Sequence, residues 1–225
     1  MLSISSFFVA SYLVPTSRYD MIYMKKLSQR REIMKILFVC TGNTCRSPMA
    51  EAILKSKSNF EVQSAGIAAM TGQPTNPKAI DTLKANQIDF SGQSQQLDSE
   101  LVDWADLILT MTNHHKQVIT SHFSSGIDKV FTLKEYTSDD ADETWQALKA
   151  TYLKLEEKRA SISENSTKEE IEACLSEEMA EIRRLEEKLR DLDIVDPFGQ
   201  NHEAYQQAYQ EINSAIDKLI EKLPE

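Results

Sequence analysis

The run Ile36-Leu37-Phe38-Val39-Cys40-Thr41-Gly42-Asn43-Thr44-Cys45-Arg46-Ser47-Pro48 restricts the chain around it to one local shape. Four apolar residues rich in β-branched and aromatic types read as a buried strand. Ser47-Pro48 reads as an N-cap followed by proline at the first helical position. The chain between them therefore turns sharply into a helix N-terminus. Unpaired backbone N–H groups there, with the positive end of the helix dipole, favour an anion, and Gly42 lets the backbone approach it closely. The same field favours a thiolate at Cys40, the form in which cysteine is a nucleophile. Arg46, six positions on, adds a planar fork suited to two phosphoryl oxygens.

The rest of the chain supplies one compact core and some additions. A length of 225 residues with 41% hydrophobic content is enough for a good single core. An excess of 35 acidic over 25 basic residues argues against nucleic acid as the main partner. Of the three cysteines, Cys40 and Cys45 share one loop and Cys174 is far away, which is no disulfide framework. Thiolate chemistry also needs a reducing compartment, so the cytoplasm is the expected location.

Alternating elements predict an α/β fold, a four-stranded parallel sheet with helices on both faces in a doubly wound, flavodoxin-like arrangement. Strands are expected at 36–39, 61–64, 107–111 and 129–133, and helices at 48–57, 77–86, 99–104, 114–123 and 202–223. In the last helix Tyr205, Tyr209, Ile212, Ile216, Leu219 and Leu223 recur at helical spacing and read as core. The Cys40 loop follows the first strand, at the carboxyl edge where open α/β sheets bind ligands.

With Pro48-Met49-Ala50-Glu51 after it, the loop resembles the low-molecular-weight protein tyrosine phosphatase family. Ser64-Ala65-Gly66, the run from Ala105 to Thr112, His115-Lys116 and the run from Lys129 to Tyr136 resemble its bacterial members. Asp196-Pro197-Phe198-Gly199 resembles the family's general-acid loop. The likeness covers 34–136 and 195 to about 223. Thr44 and Phe198-Gly199 look most like the protein-arginine phosphatase branch, because tyrosine-directed members usually carry an aliphatic residue at the Thr44 position.

The resemblance implies a cysteine-dependent protein phosphatase whose substrates are phosphorylated proteins. Cys40 is the expected nucleophile and Asp196 the general acid. Arg46 and the backbone of Thr41, Gly42, Asn43, Thr44 and Cys45 hold the phosphoryl group, Asn43 shapes the loop, the Ser47 hydroxyl supports the thiolate, and Phe198 borders the substrate. The reaction passes through a phosphocysteine and calls for no metal or cofactor. Read without the resemblance, Asn43 and Ser47 are turn and cap residues, and Asp196-Pro197 is a turn before a helix. A tyrosine-directed phosphatase is the main alternative. An arsenate reductase needs relay cysteines, and none lies between Cys45 and Cys174; a non-catalytic binding module does not need both Cys40 and Asp196. Cys45 either packs under the loop or traps an oxidised Cys40 as a disulfide.

Residues 137–194 depart from the family, whose members usually cross this interval in a short linker. The segment holds 17 acidic and 9 basic residues, a net of −8 out of the chain's −10. Trp145, Leu148, Tyr152, Leu155 and Ile162, and then Ile171, Leu175, Met179, Ile182, Leu185 and Leu189, predict two antiparallel helices zipped along an apolar seam. A turn and a Thr-x-x-Glu capping box at 165–170 separate them. This inserted hairpin is either a solvated spacer or a docking arm for a partner. Cys174 is expected as a small buried hydrophobe on its apolar face. His114, His115 and His122 read as polar residues on a helix surface rather than metal ligands. The domains expected are thus 34–136 with 195–225 for the phosphatase, 137–194 for the insert, and 1–33 as an extension. Translation is expected to begin at Met34, with a membrane-surface anchor in 1–33 as the alternative and no bilayer-spanning segment.

Overall fold

Strand β1 (Lys35–Cys40) has every residue from Ile36 to Cys40 buried, the near-continuous apolar run of a parallel strand covered on both faces. In the computed structural model, which describes residues 33–138, 140–162, 167–190 and 192–223, β1 lies between β2 (Glu61–Gly66) and β3 (Leu107–Thr110). Strand β4 (Val130–Thr132) pairs with β3, giving the order β2-β1-β3-β4 with every pairing parallel. The chain passes from β1 to β2 on one side and then crosses over to β3 on the other, which opens a crevice at the carboxyl ends of β1 and β3. Both strand ends facing that crevice carry site residues, Cys40 on β1 and the segment after Thr110 on β3.

Helix α1 (Arg46–Lys57) and the last helix, α8 (His202–Lys222), pack together on one face of the sheet. Ile53 and Leu54 of α1 and Ile212, Ile216 and Leu219 of α8 are wholly buried, each such side chain stabilising by roughly 1.5–3 kcal/mol. The Tyr205 to Leu223 stripe is buried throughout, as its spacing predicts. On the other face Leu37, Val39, Ile108 and Val130 meet Val102 of α3 (Ser99–Trp104) and Ile119 of α4 (Asn113–His122). Helix α2 (Pro77–Ala85) begins at Asn76, whose side chain accepts from Lys78 N.

Several local readings need correction. The first helix begins at Arg46 with Cys45 at its N-cap, so Ser47 lies inside the first turn instead of capping it, and its hydroxyl is used elsewhere. The strand expected to run to 133 stops at Thr132, where a capping box between Thr132 and Glu135 starts the short helix α5 (Leu133–Thr137).

The insert forms two long helices, α6 (Ala141–Ser161) and α7 (Lys168–Arg190). Tyr152 pairs with Glu186 and Lys158 with Glu178, so the helices run antiparallel. Leu148, Leu155, Leu175, Ile182 and Leu185 form a separate apolar seam between them. Trp145, Tyr152 and Met179, expected in that seam, are instead exposed, and so is Cys174. A two-helix contact buries only one narrow stripe per helix, and these four residues fall on flanking stripes. The turn at 163–166 and the side chain of Glu170 lie outside the described residues, and the expected capping box there with them. The expectations for 1–32 lie outside them too. Among the described residues no helix is long and apolar enough to cross a membrane.

Candidate active site

Cys40 ends β1 and is 3% exposed, so groups of the protein surround its sulfur. The backbone N–H of Asn43 points at Sγ from 3.3 Å, and Ser47 Oγ lies 3.0 Å from it. Ser47 Oγ also accepts from Asn43 Nδ2 at 2.9 Å, which leaves the hydroxyl hydrogen for the sulfur or for Ala65 O at 3.4 Å. The Asn43 N–H, joined by the hydroxyl when it turns to the sulfur, suits a thiolate.

Asn43 carries the loop's one unusual backbone conformation, φ 53°, a left-handed geometry that Asn tolerates better than most residues. Its side chain is used in full. Nδ2 donates to Ser47 Oγ and to Ser64 Oγ at 2.8 Å, and Oδ1 accepts from Gln95 N at 2.9 Å. Ser64 in turn donates to Glu51 Oε2 at 2.6 Å. The crowded glycine is Gly66, not Gly42. A Cβ on Gly66 would sit 2.5 Å from Thr41 O, whereas one on Gly42 would meet only Thr44 Oγ1 at 3.8 Å. Ser64, Gly66, Glu51 and Gln95 thus brace the loop from β2, α1 and the segment before α3. Sequence quoted Ser64, Gly66 and Glu51 only as points of likeness and gave them no role.

Arg46 is 4% exposed, and its two terminal nitrogens reach the other wall. One donates to Asp196 Oδ2 at 2.6 Å and the other to Ile194 O at 3.3 Å. Asp196 Oδ1 accepts from Phe198 N at 3.1 Å, and Gly199 takes φ 76°, which closes a tight turn over the site. The segment entering that turn is anchored. Ile194 N bonds Met111 O at 2.8 Å, and Asp193 Oδ1 accepts from Asn113 N, at the start of α4, at 2.7 Å. Burial pushes the Asp193 carboxyl above the usual carboxylate range.

Cys40, Thr41, Gly42, Thr44, Cys45, Arg46, Asp196 and Phe198 line one pocket of about 170 Å³. Asn43 and Ser47 lie beneath it, and Phe198 is exposed at the rim. Cys45 Sγ lies 3.3 Å from Tyr205 Oη, and burial raises the pKa of that thiol. Burial likewise raises the Tyr205 phenol.

His115 was expected on a helix surface and is instead 2% exposed. Its Nε2 is 2.9 Å from Thr41 Oγ1 and its Nδ1 is 2.8 Å from Thr112 Oγ1. Burial first, and the Arg46 charge second, lower its pKa to about 4. It is neutral at pH 7 and leaves Arg46 as the cation of the site. Among the described residues no group of three His, Cys, Asp or Glu is placed to hold a metal ion.

A buried cysteine sulfur with a backbone N–H and a hydroxyl against it, and an arginine fork and a carboxylate across one small pocket, are parts that phosphoryl transfer can use. The family model described as low molecular weight phosphotyrosine protein phosphatase matches residues 35–167, more than half of the chain. The chain belongs to this family. Its relatives include a protein-arginine-phosphatase of Geobacillus stearothermophilus, 35% identical over 191 residues, which are 84% of this chain and 95% of that protein. A protein-arginine-phosphatase of Bacillus subtilis (strain 168) is 49% identical over 110 residues, 47% of this chain and 73% of that protein. Among solved structures the chain is similar to a mutant of the YwlE arginine phosphatase with a phosphorylated active-site serine. That match has a TM-score of 0.59 and 33% identity and covers 84% of this chain and 95% of the other. The family match ends inside the insert, before Asp196, so the pairing of Asp196 with Arg46 rests on the geometry above.

The neutral His115 makes stability depend on pH. Its folded pKa lies below its ordinary 6.5, so the unfolded chain binds more protons between those values and stability falls as pH drops from about 6.5 towards 4. Relative to a His115→Gln variant, the parent is expected to lose on the order of 3 kcal/mol over that window, as urea unfolding at pH 7, 5.5 and 4 would measure. Parallel pH profiles for the two proteins would refute this role.

Proposed function

We propose that the protein removes phosphate from phosphoarginine in proteins, through a phosphocysteine on Cys40. The observation that carries this reading is the convergence of Cys40, Arg46 and Asp196 in one pocket with Thr44 in its wall. Cys40 thiolate attacks phosphorus in line. The loop amides and Arg46 take the equatorial oxygens, and the incoming phosphoryl group displaces the Asp196 carboxylate from the fork, where, parted from its cation, it takes up a proton from solvent. The P–N bond breaks as Asp196 gives its proton to the departing guanidine nitrogen. Water then attacks phosphorus and passes its proton to Asp196, the P–S bond breaks, and inorganic phosphate leaves with the thiolate restored. Ser47 Oγ, 3.0 Å from Sγ, stabilises sulfur both as nucleophile and as leaving group. A relative whose mutant holds phosphate on an active-site serine supports a covalent route of this kind.

Arginine specificity rests on Thr44 and on the acid. Phosphoarginine leaves as a strongly basic guanidine, so its expulsion depends on proton donation, and its planar nitrogens match the Asp196 carboxylate. Thr44 presents a small polar wall where isoleucine would present a larger apolar one suited to an aromatic ring. Both relatives described above carry the name protein-arginine-phosphatase. A tyrosine-directed activity is the second reading, supported by the exposed Phe198 ring at the rim and by the family's description. The location consistent with a working thiolate is the cytoplasm.

Cys40→Ser is expected to abolish phosphate release, and Asp196→Asn to slow it by about 10²–10⁴-fold, in a phosphate-release assay. Near-normal turnover by the Cys40 variant would overturn the mechanism. The parent is expected to show a higher kcat/KM for a phosphoarginine peptide than for its phosphotyrosine counterpart, with Thr44→Ile shifting the ratio towards phosphotyrosine. A parent that prefers phosphotyrosine, or an unchanged ratio in the variant, would leave the second reading standing. Since Cys40 and Cys45 line the same pocket, we also read Cys45 as a redox guard. Peroxide converts the Cys40 thiolate to a sulfenic acid, the Cys45 thiol displaces water from it, and dithiothreitol reduces the resulting disulfide. Activity should recover after peroxide in the parent and poorly in Cys45→Ala; equal recovery would exclude the guard.

A further inference from the structure

The insert encloses a second cavity, of about 550 Å³, between α6 and α7 and the α4–α5 side of the catalytic body. Its volume falls within the usual range of ligand sites. Trp145 and Tyr152 stand in its wall, 36% and 42% exposed, although both belong to the helix's apolar pattern. Neither belongs to the seam that holds the two helices together. Glu186, Glu135 and Asp193 contribute carboxylates to the same wall, and among the described residues no lysine or arginine lines it. Lys116, next to it, is bound to both oxygens of Glu135 at 2.7 Å and lies 5.7 Å from the centre of the Trp145 ring, already a cation on that aromatic face. Glu186 Oε1 accepts from the Tyr152 hydroxyl at 2.7 Å, which orders the phenol ring beside its carboxylate.

Aromatic faces with carboxylates beside them select a planar cation, which stacks on the ring and donates in the plane to the acid. An anion would meet the Glu186 and Asp193 carboxylates, Glu135 being paired with Lys116. The cavity also joins the catalytic pocket along the chain. Asp193 lines the first and Asp196 the second, and three residues span at most roughly 11 Å. A peptide with its phosphorylated residue over Cys40 therefore reaches the cavity with a side chain a few positions away.

We infer that the cleft between the inserted hairpin and the catalytic body is a docking site for an unmodified arginine side chain of the protein substrate. This deepens the proposed phosphatase function and rests on it only in placing the substrate over Cys40. The hairpin is then part of substrate selection, favouring phosphorylated sites with a neighbouring arginine.

The test compares phosphopeptides that carry one arginine, or citrulline as its neutral isostere, two to six residues from the phosphorylated residue. Phosphoarginine and phosphotyrosine versions are assayed side by side. The arginine peptide is expected to have about 5- to 30-fold higher kcat/KM at its best spacing, expressed in KM, with the gain shrinking as salt rises. Glu186→Gln, which keeps the side-chain shape, and Trp145→Ala should each bring the ratio towards one, with turnover of a small aryl phosphate unchanged. Equal kcat/KM for arginine and citrulline peptides at every spacing, or a ratio that persists in both variants, would overturn the inference. So would a dimer, seen by sedimentation, that Glu186→Gln dissolves, since the cleft would then hold a second copy of the chain. Preference for phosphotyrosine would count against the arginine-phosphatase reading alone, because the arginine-to-citrulline ratio reads the cleft with either phospho-residue.

Discussion

A cysteine sulfur buried at the end of a strand depends on hydrogens that the fold must hold in place, and here one asparagine arranges most of them. Asn43 takes a left-handed backbone, aims its own N–H at Cys40 Sγ, and fixes the Ser47 hydroxyl against the same sulfur. That posture is tolerable because Ser64, Gln95 and the absence of a side chain on Gly66 accommodate it. The constraint then spreads outward. Ser64 and Gly66 belong to β2, so the register of β2 beside β1, with Gly66 opposite Cys40, is part of the loop's geometry. Polar networks of this kind are costly when partly satisfied, and this one leaves no buried side-chain nitrogen or oxygen among the described residues without a partner.

The opposite wall obeys a similar logic through Arg46. A buried guanidinium needs acceptors, and it finds them in Asp196 and in the carbonyl of Ile194. Both lie on a segment nearly 150 residues away in sequence. That segment is positioned by Met111 and Asn113, just beyond the carboxyl end of β3, so the strand order that puts β3 beside β1 also brings Asp196 to the Cys40 loop. His115 closes the same corner by joining Thr41 to Thr112.

The hairpin shows a different relation between pattern and structure. Leu148 and Leu155 are seven residues apart, and so are Trp145 and Tyr152, three positions earlier. Periodicity merges these pairs into one apolar stripe. In the structure the leucines make the seam with α7 while the two aromatic residues turn to the cleft. A pair of helices has only one mutual face, so two adjacent apolar stripes cannot both serve it.

Local sequence carried the strand, the loop, the following helix and the acid turn, because each depends on near neighbours. Apolar runs, Pro48 and Asp196-Pro197 act through backbone preferences that hold in any fold. Parallel pairing of four strands was legible for the same reason, from apolar segments separated by helical patterns. What local pattern could not contain were the partnerships across the sheet's carboxyl edge. His115 looks like any polar residue at a helix start until β3 is set beside β1, and the first helix begins at Arg46 instead of Pro48 because the loop geometry spends Ser47 on Cys40. Gly66 is indistinguishable from a turn glycine until Thr41 is laid over it. The sequence by itself determined which elements form and which side chains are candidates for the chemistry. Only the tertiary structure decided which of them touch, since burial, crowding and hydrogen bonding between distant segments arise from the order in which the strands are laid side by side.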